Sequence, residues 1–403
     1  MKVAIVTDWL TSRGGAEHVN IAIAKLFPEA VIFTSVYKPD NFPELKDREV
    51  RTTFLQKLPK ALRHRHQLLL PLFPKAFEKL DLSEFDVIIS SASSGFSKCV
   101  KKTRPEQIHI CYCHTPIRFL YHAKEEYLKE YPMPFFIRPF KFMLPGLLDF
   151  LEKKDQASVK EVDHFLSNSN FVGERIKKYY DRTSKTIYPC VNTEPFVEAF
   201  KTFSKTRVQN FQNPGFNYFL AVGRFIPYKK FDLLVETFAA NKLPLKLVGK
   251  GPELDKCKKL AQKLKATNIE FLGFVERGEL PSLFAKARAF LFPTEEDFGL
   301  TPVEAMSAGT SVIYYNQGGA KESVGSRGVS FVEQTVDSLQ KGIDEFLRKE
   351  DSFNKNELIV RGQEFDEKVF QKKLLEFITE TIGPYRGKEP ISPESPFMER
   401  EIN

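Results

Sequence analysis

At 403 residues the chain is longer than one ordinary hydrophobic core organises, which points to two domains. Hydrophobic residues at 42% and charged ones at 28% describe a soluble globular chain, and no apolar stretch is long enough to span a bilayer. The formal net charge of +8 is spread over a large chain without any basic recognition motif, so it signals a bias toward anionic surfaces or ligands and not a nucleic-acid binder.

The chain opens Met-Lys-Val-Ala-Ile-Val-Thr-Asp, an apolar strand over 3–6 that runs into a polar loop and is too short for a signal-peptide core. A cytosolic setting is expected. Gly14-Gly15 follows, ahead of a helix over 16–26, where two glycines would let the backbone turn tightly and approach a ligand at the helix start. Strands are expected over 30–36, 87–91, 108–113, 164–167 and 186–188. Between them, 58–79 is basic and leucine-rich, with His64 and His66 set among arginines, and 131–144 mixes aromatic and basic residues. Each segment suits an ordinary packed helix; together they suit peripheral contact with an anionic bilayer or a lipid-linked substrate.

Five cysteines, at 99, 111, 113, 190 and 257, include no Cys-x-x-Cys pair and no ligand-spaced histidine partner. Cys111 and Cys113 fall on one face of the 108–113 strand as small core residues, and no metal is expected. His114 follows that strand and precedes Thr115-Pro116, a rigid turn that would hold it at a cleft edge as a catalytic group, although a lone histidine is also a common structural residue.

A polar, aromatic stretch over 199–215 is the expected linker, with an N-terminal domain over 1–200 and a C-terminal one over 201–364. The second half repeats the alternation, with strands over 218–222, 245–248, 269–272, 289–292, 312–315 and 329–331. A helix over 365–383 would complete the first domain, and the Pro-rich, charged 384–403 reads as an extended tail. The fold class expected is α/β, two Rossmann-like doubly wound domains facing across a cleft, with ligands beyond the carboxyl ends of the strands.

In the second half, Gly223-Arg224 through Lys229 opens with a strand-to-helix loop whose two cations suit a diphosphate, while Lys230 is assigned to solvent. Gly249-Lys250-Gly251-Pro252 lacks the last glycine of a dinucleotide fingerprint and is given a packing role. Most informative is Thr294 through Met306, where an apolar run ends in a loop and a helix begins between two spaced carboxylates. Thr301, Pro302 and Glu304 fit a capping box. They equally fit a site in which Glu296 and Glu304 bracket a helix start whose Phe298, Gly299 and Leu300 amides favour an anion, with the carboxylates bonding hydroxyls.

Taken together, Gly14-Gly15, Cys113-His114-Thr115-Pro116-Ile117-Arg118, Ser167-Asn168-Ser169, Gly223-Arg224 through Lys229, Gly249 through Pro252 and Glu296 through Met306 resemble the retaining GT4-type glycosyltransferases of the two-domain GT-B fold. The resemblance covers nearly the whole chain. It implies a nucleotide diphosphate sugar as donor, with Glu304 on the ribose, Glu296 and the amides of Phe298, Gly299 and Leu300 on the sugar, and Arg224 and Lys229 on the diphosphate in place of a metal. It also implies that Gly14-Gly15 approaches the donor, that His114 serves the acceptor side, and that no cofactor is required.

Asp297-Phe298-Gly299-Leu300-Thr301-Pro302-Val303-Glu304 and His-Thr-Pro-Ile-Arg-Phe resemble the polysaccharide and mannosyltransferase branch, which often uses GDP-mannose and builds on glycan or lipid-linked acceptors. Two positions depart from that branch: Ser311, where proline is common, and His122, where an acidic residue is common. A nucleotide-sugar epimerase and a non-catalytic nucleotide-sugar-binding protein at the membrane are the competing expectations.

Overall fold

The computed structural model describes residues 1–63, 69–93, 95–130, 142–209 and 217–382. Short stretches of three to six residues, apolar in the sheet interiors and polar at the edge strands, form the strands, and amphipathic stretches between them form crossover helices. β1 Val3–Thr7, β2 Val31–Thr34, β3 Val50–Thr52, β4 Val87–Ala92, β5 Ile108–Cys113, β6 His164–Ser167 and β7 Ser184–Thr186 make one all-parallel sheet, ordered β3-β2-β1-β4-β5-β6-β7. β8 Phe219–Val222, β9 Leu245–Val248, β10 Ile269–Gly273, β11 Ala289–Phe292, β12 Ser311–Tyr315 and β13 Val329–Phe331 make a second, ordered β10-β9-β8-β11-β12-β13 and again all parallel. The direction of winding reverses between β1 and β4 in the first sheet and between β8 and β11 in the second, and such switch points open a crevice at the strands' carboxyl ends.

Alternate residues of each strand feed opposite cores. Phe219 and Ala221 of β8, Ala289 and Leu291 of β11 and Ile313 of β12 enter one cluster; Leu220, Phe290, Phe292, Val312 and Tyr314 enter the other. Each large apolar side chain fully buried this way stabilises the fold by roughly 1.5–3 kcal/mol before entropy is counted. All five cysteines are buried and none forms a disulfide, and burial pushes the Cys99 and Cys111 thiols up to about 12, so these two act as small core residues.

The described residues divide into two compact units: one spans Met1–Asn168, Val172–Ile187 and 370–382, the other Ser169–Phe171 and Tyr188–Val369. The chain passes between units at Ile187–Tyr188, ahead of the expected 200/201 boundary. The polar and aromatic stretch expected to be a linker is helical up to Gln209, in the helix Glu194–Gln209. Aromatic residues of that helix pack on the second unit: Phe196 meets Phe284 edge-on at 5.7 Å, and, within the expected linker, the Phe203 ring has Lys286 4.2 Å over it. Tyr188, expected in a strand, instead packs on Phe298 at 5.6 Å and Phe365 at 5.5 Å, so β7 ends at Thr186.

β3 was not anticipated because Val50-Arg51-Thr52 is a half-buried edge strand with no apolar run. Among the described residues no helix is long and apolar enough to cross a membrane. His64, His66, most of 131–144, the end of the expected linker and the tail lie outside the described residues.

Candidate functional site

In the second unit the loop after β8 is locked to the loop after β9 by backbone rungs. The Gly223 amide donates to Val248 O at 3.0 Å, the Phe225 amide to Lys250 O at 2.9 Å, and the Glu253 amide to Phe225 O at 3.0 Å. Gly249, at φ +139°, leaves so little room that an added Cβ would lie 1.8 Å from Gly223 O; at Gly251, φ +157°, it would lie 2.3 Å from Phe225 O. Only glycine fits either place, which confirms a packing role for this pair. Arg224 is thereby presented on a rigid loop, exposed and without an ion-pair partner among the described residues. A 3-10 turn, Pro227–Lys229, follows, and Lys230 in the left-handed region, at φ +55°, starts the helix Phe231–Asn241.

The neighbouring strand β11 supplies the second loop. Buried Thr294 donates from Oγ1 to Tyr228 O at 2.9 Å, joining the two loops. Lys229 Nζ forms a salt bridge with Glu296 Oε1, and the two side chains are only 13% and 18% exposed. Two residues expected to touch different parts of a ligand are therefore bonded to each other. Behind Glu296, Gly318 and Gly319 come so close that a Cβ would lie 2.4 Å from Glu296 O and 2.3 Å from Asp297 O; the Gly319 amide donates to Glu296 O at 2.8 Å. Ser169 Oγ donates to Asp297 O at 2.5 Å. Sequence reasoning passed over this glycine doublet, although it follows a strand as a ligand loop would.

Phe298 plugs the loop into the core against Tyr188 and Phe365, while the amides of Phe298, Gly299 and Leu300 donate to no described residue. Helix Leu300–Ser307 then begins at Gly299, whose φ of +86° and ψ of 83° turn the chain into it. The capping box is thus incorrect: the left-handed glycine starts the helix ahead of Thr301, which lies inside the first turn and caps nothing. Glu304 sits a turn further in, half-buried, without a hydrogen-bond or ion-pair partner among the described residues. Desolvation pushes its carboxyl up to about 7, against the opposing charge of Arg277. A carboxyl in this setting lacks hydrogen-bond donors, and vicinal hydroxyls supply two.

The first unit holds the remaining expected residues. At its switch point the Asp8 carboxylate accepts from the Ser93 amide and hydroxyl, at 2.8 and 2.9 Å, and from the Gly95 and Ser97 amides, both at 3.0 Å. That network pins the loop after β4 beneath the loop after β1. Gly14 and Gly15 are exposed at the start of the helix Gly15–Leu26, but Gly14 is extended, at φ −152°, a conformation open to any residue. Gly14 therefore makes no left-handed turn, and a Cβ there would lie 2.9 Å from Glu17 Oε2.

His114, expected at a cleft edge, is buried. Its Nε2 meets Ser91 Oγ at 2.9 Å, its amide donates to Ala92 O at 2.8 Å, and its ring stands edge-on to Tyr112 at 5.0 Å. Those contacts fix the orientation of its ring within the first unit. Among the described residues no three His, Cys, Asp or Glu side chains gather where they could hold a metal ion.

Two Rossmann-like units, each a doubly wound parallel sheet, define an α/β protein, and the second carries cations, carboxylates and amides on the loops at its strand switch point. The family model described as Glycosyltransferase Family 4 matches residues 13–195, the model described as Glycosyl transferases group 1 matches 202–362, and the chain belongs to the GT4-type glycosyltransferases. It is 25% identical to the alpha-1,3/1,6-mannosyltransferase ALG2 of Kluyveromyces lactis over 284 residues, 60% of this chain and 53% of that one. To the O-antigen chain mannosyltransferase RfbU of Salmonella typhimurium it is 30% identical over 189 residues, 44% of this chain and 49% of that one. These alignments span about half the length of the curated relatives. Among solved structures, Anabaena HepE in complex with UDP shares the fold, with a TM-score of 0.66 at 17% identity over 94% of this chain and 100% of that one.

Proposed function

We propose that this protein is a retaining glycosyltransferase that moves a hexose, foremost mannose from GDP-mannose, to a glycan or lipid-linked acceptor in cell-surface polysaccharide synthesis. The observation that carries this is the loop from Thr294 to Leu300, which gathers a cation, a carboxylate and three unbonded amides beside the exposed Arg224 loop. The mannosyltransferases among the relatives favour mannose. In this assignment Glu304 accepts from the ribose hydroxyls, Arg224 and Lys229 neutralise the diphosphate, and Glu296 with the Phe298, Gly299 and Leu300 amides holds the sugar. Gly14 and Gly15 leave space for the donor and His114 serves the acceptor side.

Retention follows from attack on the face the diphosphate leaves. The C1–O bond to phosphate breaks, the bond from C1 to the acceptor oxygen forms, and the acceptor's proton passes to the departing phosphate oxygen. Glu296 is then a positioning residue and not a nucleophile. No observation favours an epimerase or a non-catalytic binder.

Thermal shift against GDP, UDP and ADP sugars identifies the donor, since a ligand bound only by the folded state raises its apparent stability. Loss of one charge-assisted contact costs roughly 1.5–3 kcal/mol, so R224A and E304A should each weaken nucleotide binding about tenfold or more. Unchanged affinity in both variants would sink the site assignment. A cytosolic protein peripheral to an anionic membrane face completes the proposal, supported by exposed apolar side chains of the first unit: Phe142 at 78%, Met143 at 58% and Phe150 at 47%.

A further inference from the structure

The pair Lys229–Glu296 places the residue assigned to phosphate and the residue assigned to sugar in each other's hands. Both are mostly shielded from water, so their attraction is not simply screened away. Their freedom differs. Glu296 is gripped through its main chain by Gly319 N, with Gly318 packed against the same carbonyl. Lys229 ends a short 3-10 turn and reaches across the faces of Tyr228, at 5.8 Å, and Phe292, at 5.6 Å, on a flexible four-carbon stem.

We infer that Lys229 and Glu296 form an exchange pair: a diphosphate takes Lys229 from its salt bridge, and only then is the Glu296 carboxylate free to accept the sugar's hydroxyls. This rests on the donor-site assignment above. A diphosphate offers more negative charge and more acceptor oxygens than a single carboxylate, so Lys229 exchanges toward it. Arg224, exposed and unpaired among the described residues, meets the phosphate without any such exchange. The pair therefore makes sugar recognition conditional on diphosphate recognition. A free hexose leaves the salt bridge closed, while a nucleotide diphosphate sugar opens it and uses both ends.

The exchange has a signature opposite to ordinary contact loss. Calorimetric affinities for GDP and GDP-mannose, and for the UDP pair if thermal shift selects uridine, are measured on wild type, E296Q, K229M and E296Q/K229M, each first shown to be folded by circular dichroism and melting. E296Q should bind the sugar-free diphosphate more tightly, about fivefold if the released pair is worth about 1 kcal/mol. It should also lose most of the extra affinity that the sugar confers. In the K229M background E296Q should no longer tighten diphosphate binding.

Unchanged or weaker diphosphate binding in E296Q overturns the exchange while leaving the donor site intact. Equal tightening with and without Lys229 also overturns it, because that is general charge repulsion. Wild type binding none of GDP, UDP or ADP overturns the donor assignment and the exchange with it.

Discussion

Glu304 couples the proposed site to pH and to stability with opposite signs. Its carboxyl titrates near 7 in the folded chain against an ordinary value of 4.5, because burial disfavours the charge. A folded-state pKa above the unfolded one means stability is complete below about 4.5 and is lost as pH rises toward 7, with no further loss above. The full penalty is at most about 3 kcal/mol, by the conversion of a pKa difference to free energy. E304Q should therefore match wild type in urea unfolding near pH 4.5 and exceed it at pH 8, while binding nucleotide more weakly at both. Ribose hydroxyls donate to a carboxylate, so nucleotide binding near pH 7 should release a fraction of a proton, read as a calorimetric enthalpy that varies with the buffer's ionisation enthalpy. Stability in E304Q that does not rise with pH relative to wild type would refute the buried carboxyl.

Between elements, a buried polar network lies away from the proposed donor loops. Lys98, in the 3-10 turn Ser97–Cys99, forms a fully buried salt bridge with Asp155 on the helix Leu144–Ser158 and lies 3.1 Å from Ser158 Oγ. The other Asp155 oxygen accepts from the Tyr121 and Tyr180 hydroxyls, each at 2.8 Å. Burial works against the Lys98 charge, yet Asp155 keeps its pKa above the ordinary value. K98M leaves that carboxylate buried without a cation and should cost about 3–5 kcal/mol in urea unfolding, most of it recovered in K98M/D155L. A loss under about 1 kcal/mol in K98M would show the pair to be dispensable.

None of this was legible in the sequence, where 57 positions separate the partners and a buried lysine looks like any surface one. The parallel strands were legible because both faces are covered, so their residues read as apolar runs; β3 was not, being a polar edge. The loop from Thr294 to Leu300 was found through its glycine and carboxylates, but its helix start was misplaced. Thr301 and Pro302 are good capping residues, and what overrode them is the left-handed turn at Gly299. The salt bridge between Lys229 and Glu296 escaped notice because each residue had already been assigned to a ligand.

For the molecule as a whole, the net charge of +8 and a sequence pI of about 9.0 favour approach to an anionic surface, but charge alone gives only salt-sensitive attraction. In the proposed membrane contact apolar insertion would supply the rest, and the first unit offers Phe142 and Met143 beside the helix Leu144–Ser158 with Phe150 further along it. Exposed Leu72 precedes the helix Phe73–Glu78, which packs on that same helix and is tied to it by Lys154 and Glu78 at 3.4 Å. Co-sedimentation should show binding to vesicles containing anionic lipid and not to neutral ones, declining as ionic strength rises from about 50 to about 500 mM, where the screening length falls several-fold. The triple variant F142S/M143S/F150S keeps every charge and should lose most vesicle binding while retaining nucleotide affinity. If the triple variant binds as wild type does, attraction is purely electrostatic and these side chains are not an anchor. Equal binding to neutral vesicles would instead remove the role given to charge.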